Sequence, residues 1–240
     1  MLTDTVKIRE KGKTRFIAHR GVSGLECENT AASFIAAGNR TYAGIETDLW
    51  HTSDGHYLCN HDGRTGRICD VDLVIEANTF DELRKLRLRD CDGVSDRREL
   101  ILPTPHEYMK ICSKYNKLAV PELKSDFAEK EIAEILAIFE RWIDNTCFIS
   151  FSMANLDLVK KLKPEQRCQY LAGTWNDDFP GMLEYRGMGL DIEKRQLTAE
   201  RIKVCHEHGV EVNAWTVDSP EDAERLISWG IDFITTNILE

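Results

Sequence analysis

Two pairs of charged residues define the chemistry open to this chain. Glu46 and Asp48 stand two apart, as do Glu122 and Lys124, in segments whose apolar neighbours read as strands. Side chains alternate faces along a strand, so the members of each pair project together. Two carboxylates crowded onto one face repel, and burial raises their pKa values. One hard divalent cation, Mg2+ or Ca2+, relieves that conflict through oxygen coordination, with Glu122 as the third ligand from another strand. Pairing with Arg or Lys is the simpler alternative for either pair taken alone. Lys124 beside such an ion places positive charge where a phosphate oxygen needs it.

His19 follows the apolar run Phe16-Ile17-Ala18, and His61 follows an extended stretch at 56–60. Imidazole exchanges protons near neutral pH, so one histidine can accept while the other donates. A single histidine is more often structural, but two at strand ends flanked by charge point to catalysis. Arg20 can grip a phosphate oxygen in bidentate fashion, and Gly21 lets the backbone approach closely there. The other histidines carry no such pattern. His206 and His208 precede Gly209 and suit a helix C-terminus. His51, His56 and His106 lack a partner constellation, and none is expected to bind a metal.

Short apolar runs that alternate with amphipathic stretches must position these groups. Strands are predicted at 16–18, 44–49, 117–123, 147–150, 168–171, 188–192, 210–217 and 231–235, with the segment at 56–60 entered by the Asp54-Gly55 turn. Helices are predicted at 30–38 (capped by Asn29 or Thr30), 80–88, from Pro105 onward, and at 128–143, 198–208 and 219–229. Ser219-Pro220-Glu221-Asp222 is a well-formed helix start, with a capping Ser, Pro in the first position and acids in the first turn. Residues 69–95, rich in Asp and Arg, break the rhythm and read as an excursion. The alternation implies parallel strands joined by helical crossovers. Eight strands suggest an α/β fold closed into a (β/α)8 TIM barrel, although an open doubly wound sheet alternates in the same way. In a barrel the loops after the strands form the active face. His19, Glu46, Asp48, His61 and Glu122 all sit at such ends, so closure would make them converge.

Bulk properties narrow the partners. A length of 240 residues fits one large domain, read here as 1–240 undivided. The formal net charge of -10 argues against nucleic acid, whose phosphates need a basic counter-surface. It leaves room for a small anionic substrate, because a bound cation reverses the sign of an acidic site. Eight cysteines without a C-x-x-C pair, several inside apolar runs, read as reduced buried thiols. The first residues are charged and lack the apolar core of a secretory signal. No apolar run approaches the roughly 20 residues of a membrane span. A cytoplasmic protein without a membrane anchor is therefore expected, its oligomeric state left open.

Together these motifs resemble the glycerophosphodiester phosphodiesterase family. The resemblance runs from Ile17-Ala18-His19-Arg20-Gly21 through Glu28-Asn29-Thr30, Glu46-Thr47-Asp48 and His61-Asp62 to Glu122-Leu123-Lys124, and returns at Val212-Asn213-Ala214-Trp215-Thr216-Val217. It implies a barrel with a small insertion between the second and third barrel strands, roughly 63–104 here. It also implies metal-dependent hydrolysis of glycerophosphodiesters to glycerol 3-phosphate and an alcohol. His19 and His61 would be the acid–base pair, and Glu46, Asp48 and Glu122 the ligands of one divalent ion. Arg20 and Lys124 would match the phosphate-holding positions, and Glu28 would order the loop after the first strand. Trp215 would match an aromatic residue lining the pocket, with a barrel-layer residue as its alternative. Two departures stand out: the loop Gly63-Arg64-Thr65-Gly66 is compressed, and Pro121 precedes Glu122, where its missing N–H alters strand pairing. Alternative functions are a lysophospholipase D-like phosphodiesterase, for which 179–183 could serve as a mobile lip, and a non-catalytic phosphodiester-binding barrel.

Overall fold

Thr30, Thr104, Thr198 and Ser219 each accept a hydrogen bond from the backbone N–H three residues on. Each thereby satisfies a donor that the first turn of a helix leaves free. The structure, a computed structural model, describes residues 3–240. Its helices are α1 Ala31–Gly38, α2 Phe80–Leu83, α3 Pro105–Lys114, α4 Glu129–Phe139, α5 Met153–Leu162, α6 Phe179–Arg186, α7 Ala199–Glu207 and α8 Pro220–Ser228. The strands are β1 Arg15–Ala18, β2 Gly44–His51, β3 Tyr57–Cys59, β4 Leu118–Leu123, β5 Phe148–Ser150, β6 Cys168–Ala172, β7 Gly189–Glu193, β8 Val212–Trp215 and β9 Phe233–Thr236.

Closure is settled at β1. Ile17 lies in parallel register with Gly44 of β2 on one side and with Thr235 of β9 on the other. Eight parallel strands thus form a ring with helices between them, which is a TIM barrel and excludes the open sheet. β3 stands outside the ring, antiparallel to the end of β2 through Leu49–Cys59 and His51–Tyr57.

Alternation divides each strand between two cores. Outward-facing residues meet the helices, as in the edge-to-face chain from Phe34 through Tyr108 and Phe139 to Phe148. Inward-facing Ile17, Val120, Ile149, Leu171 and Phe233 fill the barrel. At the N-terminal end the guanidinium groups of Arg15 and Arg167 lie 4.0 and 4.9 Å from the centre of the Phe233 ring, both paired with Glu211. That end is plugged, so access to the inward-facing groups comes from the C-terminal end.

The insertion between β2 and β4 carries its own apolar cluster, in which Leu83, Leu86, Leu88, Leu100 and Leu102 gather with Leu58 and Cys27. The predicted helix at 80–88 is therefore cut to α2. Leu86 and Leu88 share a face at strand spacing, and Leu88 bridges Cys69 while its N–H donates to the Leu100 carbonyl. The compressed loop after His61 closes on itself: Thr65 Oγ1 donates to the Val71 carbonyl at 2.6 Å, and Arg64 pairs with Asp72.

Other expectations change in detail. The helix predicted at 128–143 stops at Phe139 and tightens into a 3₁₀ turn over Glu140–Asn145. Residues 179–183 form the start of α6, with Phe179 packed edge-on against Tyr170 and Trp175, and not a free lip. All eight cysteines are unpaired, and seven are buried. Among the described residues no helix is long and apolar enough to cross a membrane.

Candidate active site

All nine predicted site residues gather at the open end of the barrel. His19, Arg20, Glu46, His61, Glu122, Lys124 and Trp215 line one cleft of about 120 Å³. Asp48 lies between Glu46 and Glu122, and Glu28 lines an adjoining depression with Arg20. The histidines and the carboxylates thus share one face, as the acid–base reading requires.

Strand register produces the acidic cluster. Glu46 and Asp48 point inward from β2, and Asp48 is the direct neighbour of Glu122 on β4. One oxygen from each of the three lies within 4.8 Å of the others, and the residues are 2, 1 and 8% exposed. Pro121 does not disturb this arrangement. It faces the other way, in register with Thr47.

Charges in the cluster are uneven. Burial, and then the charge of Asp48, push Glu46 well above the usual carboxylate range. The same causes raise Glu122 to about 8. Burial opposes ionisation of Asp48 too, but Lys124 and Arg20 outweigh it and hold its carboxyl low. Lys124 Nζ stands 3.0 Å from Glu122 Oε1 and 3.4 Å from Asp48 Oδ1. Asp48 Oδ1 is nonetheless buried with no hydrogen bond. An all-oxygen donor set with a bare carboxylate oxygen and two raised pKa values is deficient in positive charge, which fits a hard divalent cation.

His19 leaves β1 with its N–H on the Thr236 carbonyl at 2.9 Å and its Nε2 4.0 Å from Glu46 Oε2. Burial, then the Arg20 charge, depress its pKa to about 4. His61 Nδ1 lies 2.7 Å from Asp62 Oδ1, and burial lowers its pKa as well. Arg20 takes a left-handed backbone with φ of 54°, its N–H donating to Glu46 Oε2 and its Nη1 to Glu28 Oε1. Gly21 is required by packing: a Cβ there would strike Ser33 of α1, so the close approach is to a helix.

A family model for the glycerophosphoryl diester phosphodiesterase family matches residues 19–240. The chain belongs to that family. It is 32% identical over 236 residues to the glycerophosphodiester phosphodiesterase of Caldanaerobacter subterraneus subsp. tengcongensis, covering 94% of each chain. The solved structure of an Oleispira antarctica phosphodiesterase in complex with the product sn-glycerol-3-phosphate matches with a TM-score of 0.86 at 27% identity, over 93% of this chain and 92% of that one. A glycerophosphodiester phosphodiesterase from Parabacteroides distasonis matches with a TM-score of 0.77 at 30% identity, over 95 and 94%. Membership makes this chain an enzyme of the phosphoric diester hydrolase class.

Several residues of this phosphodiesterase-family site escaped the sequence reading. Asn29, expected as a possible cap and as part of the Glu28-Asn29-Thr30 motif but given no role in the site, donates from Nδ2 to Asp48 Oδ2 at 2.7 Å and accepts from Thr47 Oγ1. Thr30 is the cap. Arg67, within the insertion, reaches both Glu28 and Asp62. Asp191 of β7 lines the cleft floor, and burial, then the charge of Glu122, push its pKa well up. His51 does have partners, with Glu76 at 2.9 Å and Glu131 at 2.8 Å on opposite sides of its ring. No motif spacing announces these contacts, because most of them join residues far apart in sequence, Arg67 with Asp62 five residues away being the exception.

Proposed function

We propose that the chain hydrolyses glycerophosphodiesters to glycerol 3-phosphate and a free alcohol, with Glu46, Asp48 and Glu122 holding one divalent cation, Mg2+ or Ca2+. The observation that carries this reading is the meeting of those carboxylates with two histidines in one cleft. The Oleispira structure, solved with sn-glycerol-3-phosphate, supports the product. When bound, the cation supplies Lewis-acid stabilisation of charge on the phosphoryl group.

The protein groups supply the rest. Arg20 and Lys124 hold non-bridging phosphoryl oxygens and stabilise charge as it develops. Glu28 holds the Arg20 guanidinium in place. One histidine removes the proton of the attacking oxygen, from water or the glycerol 2-hydroxyl, and the other protonates the departing alkoxide as its P–O bond breaks. The hydroxyl route passes through a cyclic phosphate that water then opens. Trp215 walls the cleft, with its Nε1 anchored on the Asp191 carbonyl at 3.2 Å. Eight unpaired thiols support a reducing, cytoplasmic setting.

One observation favours a second substrate. Phe151, 49% exposed, packs edge-on against Trp215 at 5.8 Å and gives the cleft mouth an apolar side. An acylated glycerophosphodiester could rest there, in the lysophospholipase D-like reading. The test measures glycerol 3-phosphate released from glycerophosphocholine, and choline released from lysophosphatidylcholine, after chelation and after Mg2+ or Ca2+ is restored. Metal-dependent release from the first is expected. Release from the second alone moves the assignment to acylated substrates, and release from neither contradicts the hydrolase reading.

A further inference from the structure

We propose that Asn237 is a positioning residue for His19: its side-chain amide, oriented by Asp218, keeps the imidazole proton on Nδ1 and turns a bare Nε2 toward the cleft. The inference rests on the reading of His19 as an acid–base group, but its geometry lies outside the metal cluster, in the loops after β8 and β9.

Hydrogen-bond logic fixes each step. Asp218, as a carboxylate, can only accept. Three donors converge on it: the Asn237 N–H at 2.7 Å and Thr236 Oγ1 at 3.0 Å on Oδ1, and Asn237 Nδ2 at 2.6 Å on Oδ2. The amide nitrogen of Asn237 is thereby committed to Asp218, and its oxygen must face the other way. Oδ1 meets Ser23 Oγ at 2.7 Å and His19 Nδ1 at 2.8 Å. An amide oxygen has no proton to give, so Ser23 and His19 are both donors and Nδ1 carries hydrogen. The other neutral tautomer would set two acceptors against each other at 2.8 Å. The backbone bond from His19 N–H to the Thr236 carbonyl ties the end of β1 to the end of β9, next to Asn237.

Nε2 is left as the nitrogen that faces Glu46 across the cleft. Every proton that His19 exchanges with the reacting groups then passes through Nε2. His61 is held at Nδ1 by the carboxylate of Asp62, whereas His19 is held by a neutral amide whose orientation is itself imposed. Asp218 therefore acts on the reaction through two intervening residues without touching substrate.

Long-range proton–nitrogen correlation spectra of the protein labelled with 15N-histidine read the tautomer directly, with His19→Gln assigning the signal. The wild type is expected to show a pyridine-type Nε2 for His19. Asp218→Asn keeps shape but can present its oxygen to only one of the two amide donors of Asn237. It is expected to give a mixed tautomer and to lower kcat on glycerophosphocholine by about 10- to 100-fold, taking the size of effect seen for partners that orient metal-bound side chains as the guide, with KM within about twofold. Asn237→Ala should do the same. A wild-type His19 protonated on Nε2 overturns the proposal, and so do folded Asp218→Asn and Asn237→Ala proteins with unchanged tautomer and kcat. If both variants fail to fold, the wild-type spectrum alone decides. A wild type that turns over no diester contradicts the hydrolase reading instead, since the spectrum needs no substrate.

Discussion

Arg67 donates from Nη1 and Nη2 to the two carboxylate oxygens of Glu28, at 2.8 and 2.7 Å, and from Nε to Asp62 at 2.6 Å. One guanidinium from the insertion therefore holds the residue that steadies Arg20 and the residue that steadies His61. Lysine cannot reproduce that planar fork. Arg67→Ala and Arg67→Lys should both lower kcat/KM on glycerophosphocholine by about tenfold or more. A fully active lysine variant would show that charge alone suffices.

The proposed cation would have to compete with protons for the acidic cluster. Glu122 has a folded-state pKa of about 8 against an ordinary 4.5, so the folded protein retains its proton. The stability this confers on the metal-free protein is complete below about pH 4.5 and is lost as pH rises through about 8. Tm in excess chelator should therefore fall from about pH 6 to about pH 8. Because binding must displace protons from Glu122 and Glu46, metal affinity should rise over the same interval. Calorimetric Mg2+ titrations in buffers of different ionisation enthalpy measure both the affinity and the protons released. Binding independent of pH would place the cation elsewhere.

Asn29 orients Asp48 while adopting a left-handed backbone with φ of 52°. Asn29→Gly keeps that backbone accessible and deletes the amide. It should weaken metal binding by about 10- to 100-fold while the far-ultraviolet circular dichroism stays unchanged. Asn29→Ala should lose in addition about 1–2 kcal/mol of stability, read by urea unfolding, because Ala resists the left-handed region.

Phe151 separates the two substrate readings. Its ring stands edge-on to Trp215 at 5.8 Å, and it is 49% exposed. Phe151→Ala should leave kcat/KM on glycerophosphocholine within about threefold and lower any activity on lysophosphatidylcholine by about tenfold, as expected on losing roughly 1–2 kcal/mol of apolar contact. Equal losses on both substrates would place Phe151 against the glycerol or phosphate portion.

The barrel was legible where period and punctuation agree. Gly44 to Leu49 alternates cleanly, Ser219-Pro220 opens a helix by itself, and strand spacing alone aligns Glu46 with Asp48. Leu86 and Leu88 misled because a short apolar run with charged neighbours satisfies helix and strand periods alike, and Leu100 decides between them from outside the window. The residues that gather in the cleft stood out in the sequence as residue types at strand ends. Apart from Glu28, the residues that hold them were not: Asn237 contacts His19 from 218 residues away, where β9 closes on β1, and Arg67 contacts Glu28 from 39 residues away.

The most direct test follows glycerophosphocholine by 31P nuclear magnetic resonance with wild type and His19→Ala, each with Mg2+ and with excess chelator. Conversion to the glycerol 3-phosphate resonance is expected in the wild type with metal, with at least a 100-fold slower rate in the variant, the lower range for loss of general acid–base catalysis. A phosphocholine resonance, conversion that survives chelation, or full activity in His19→Ala would contradict the proposed reaction.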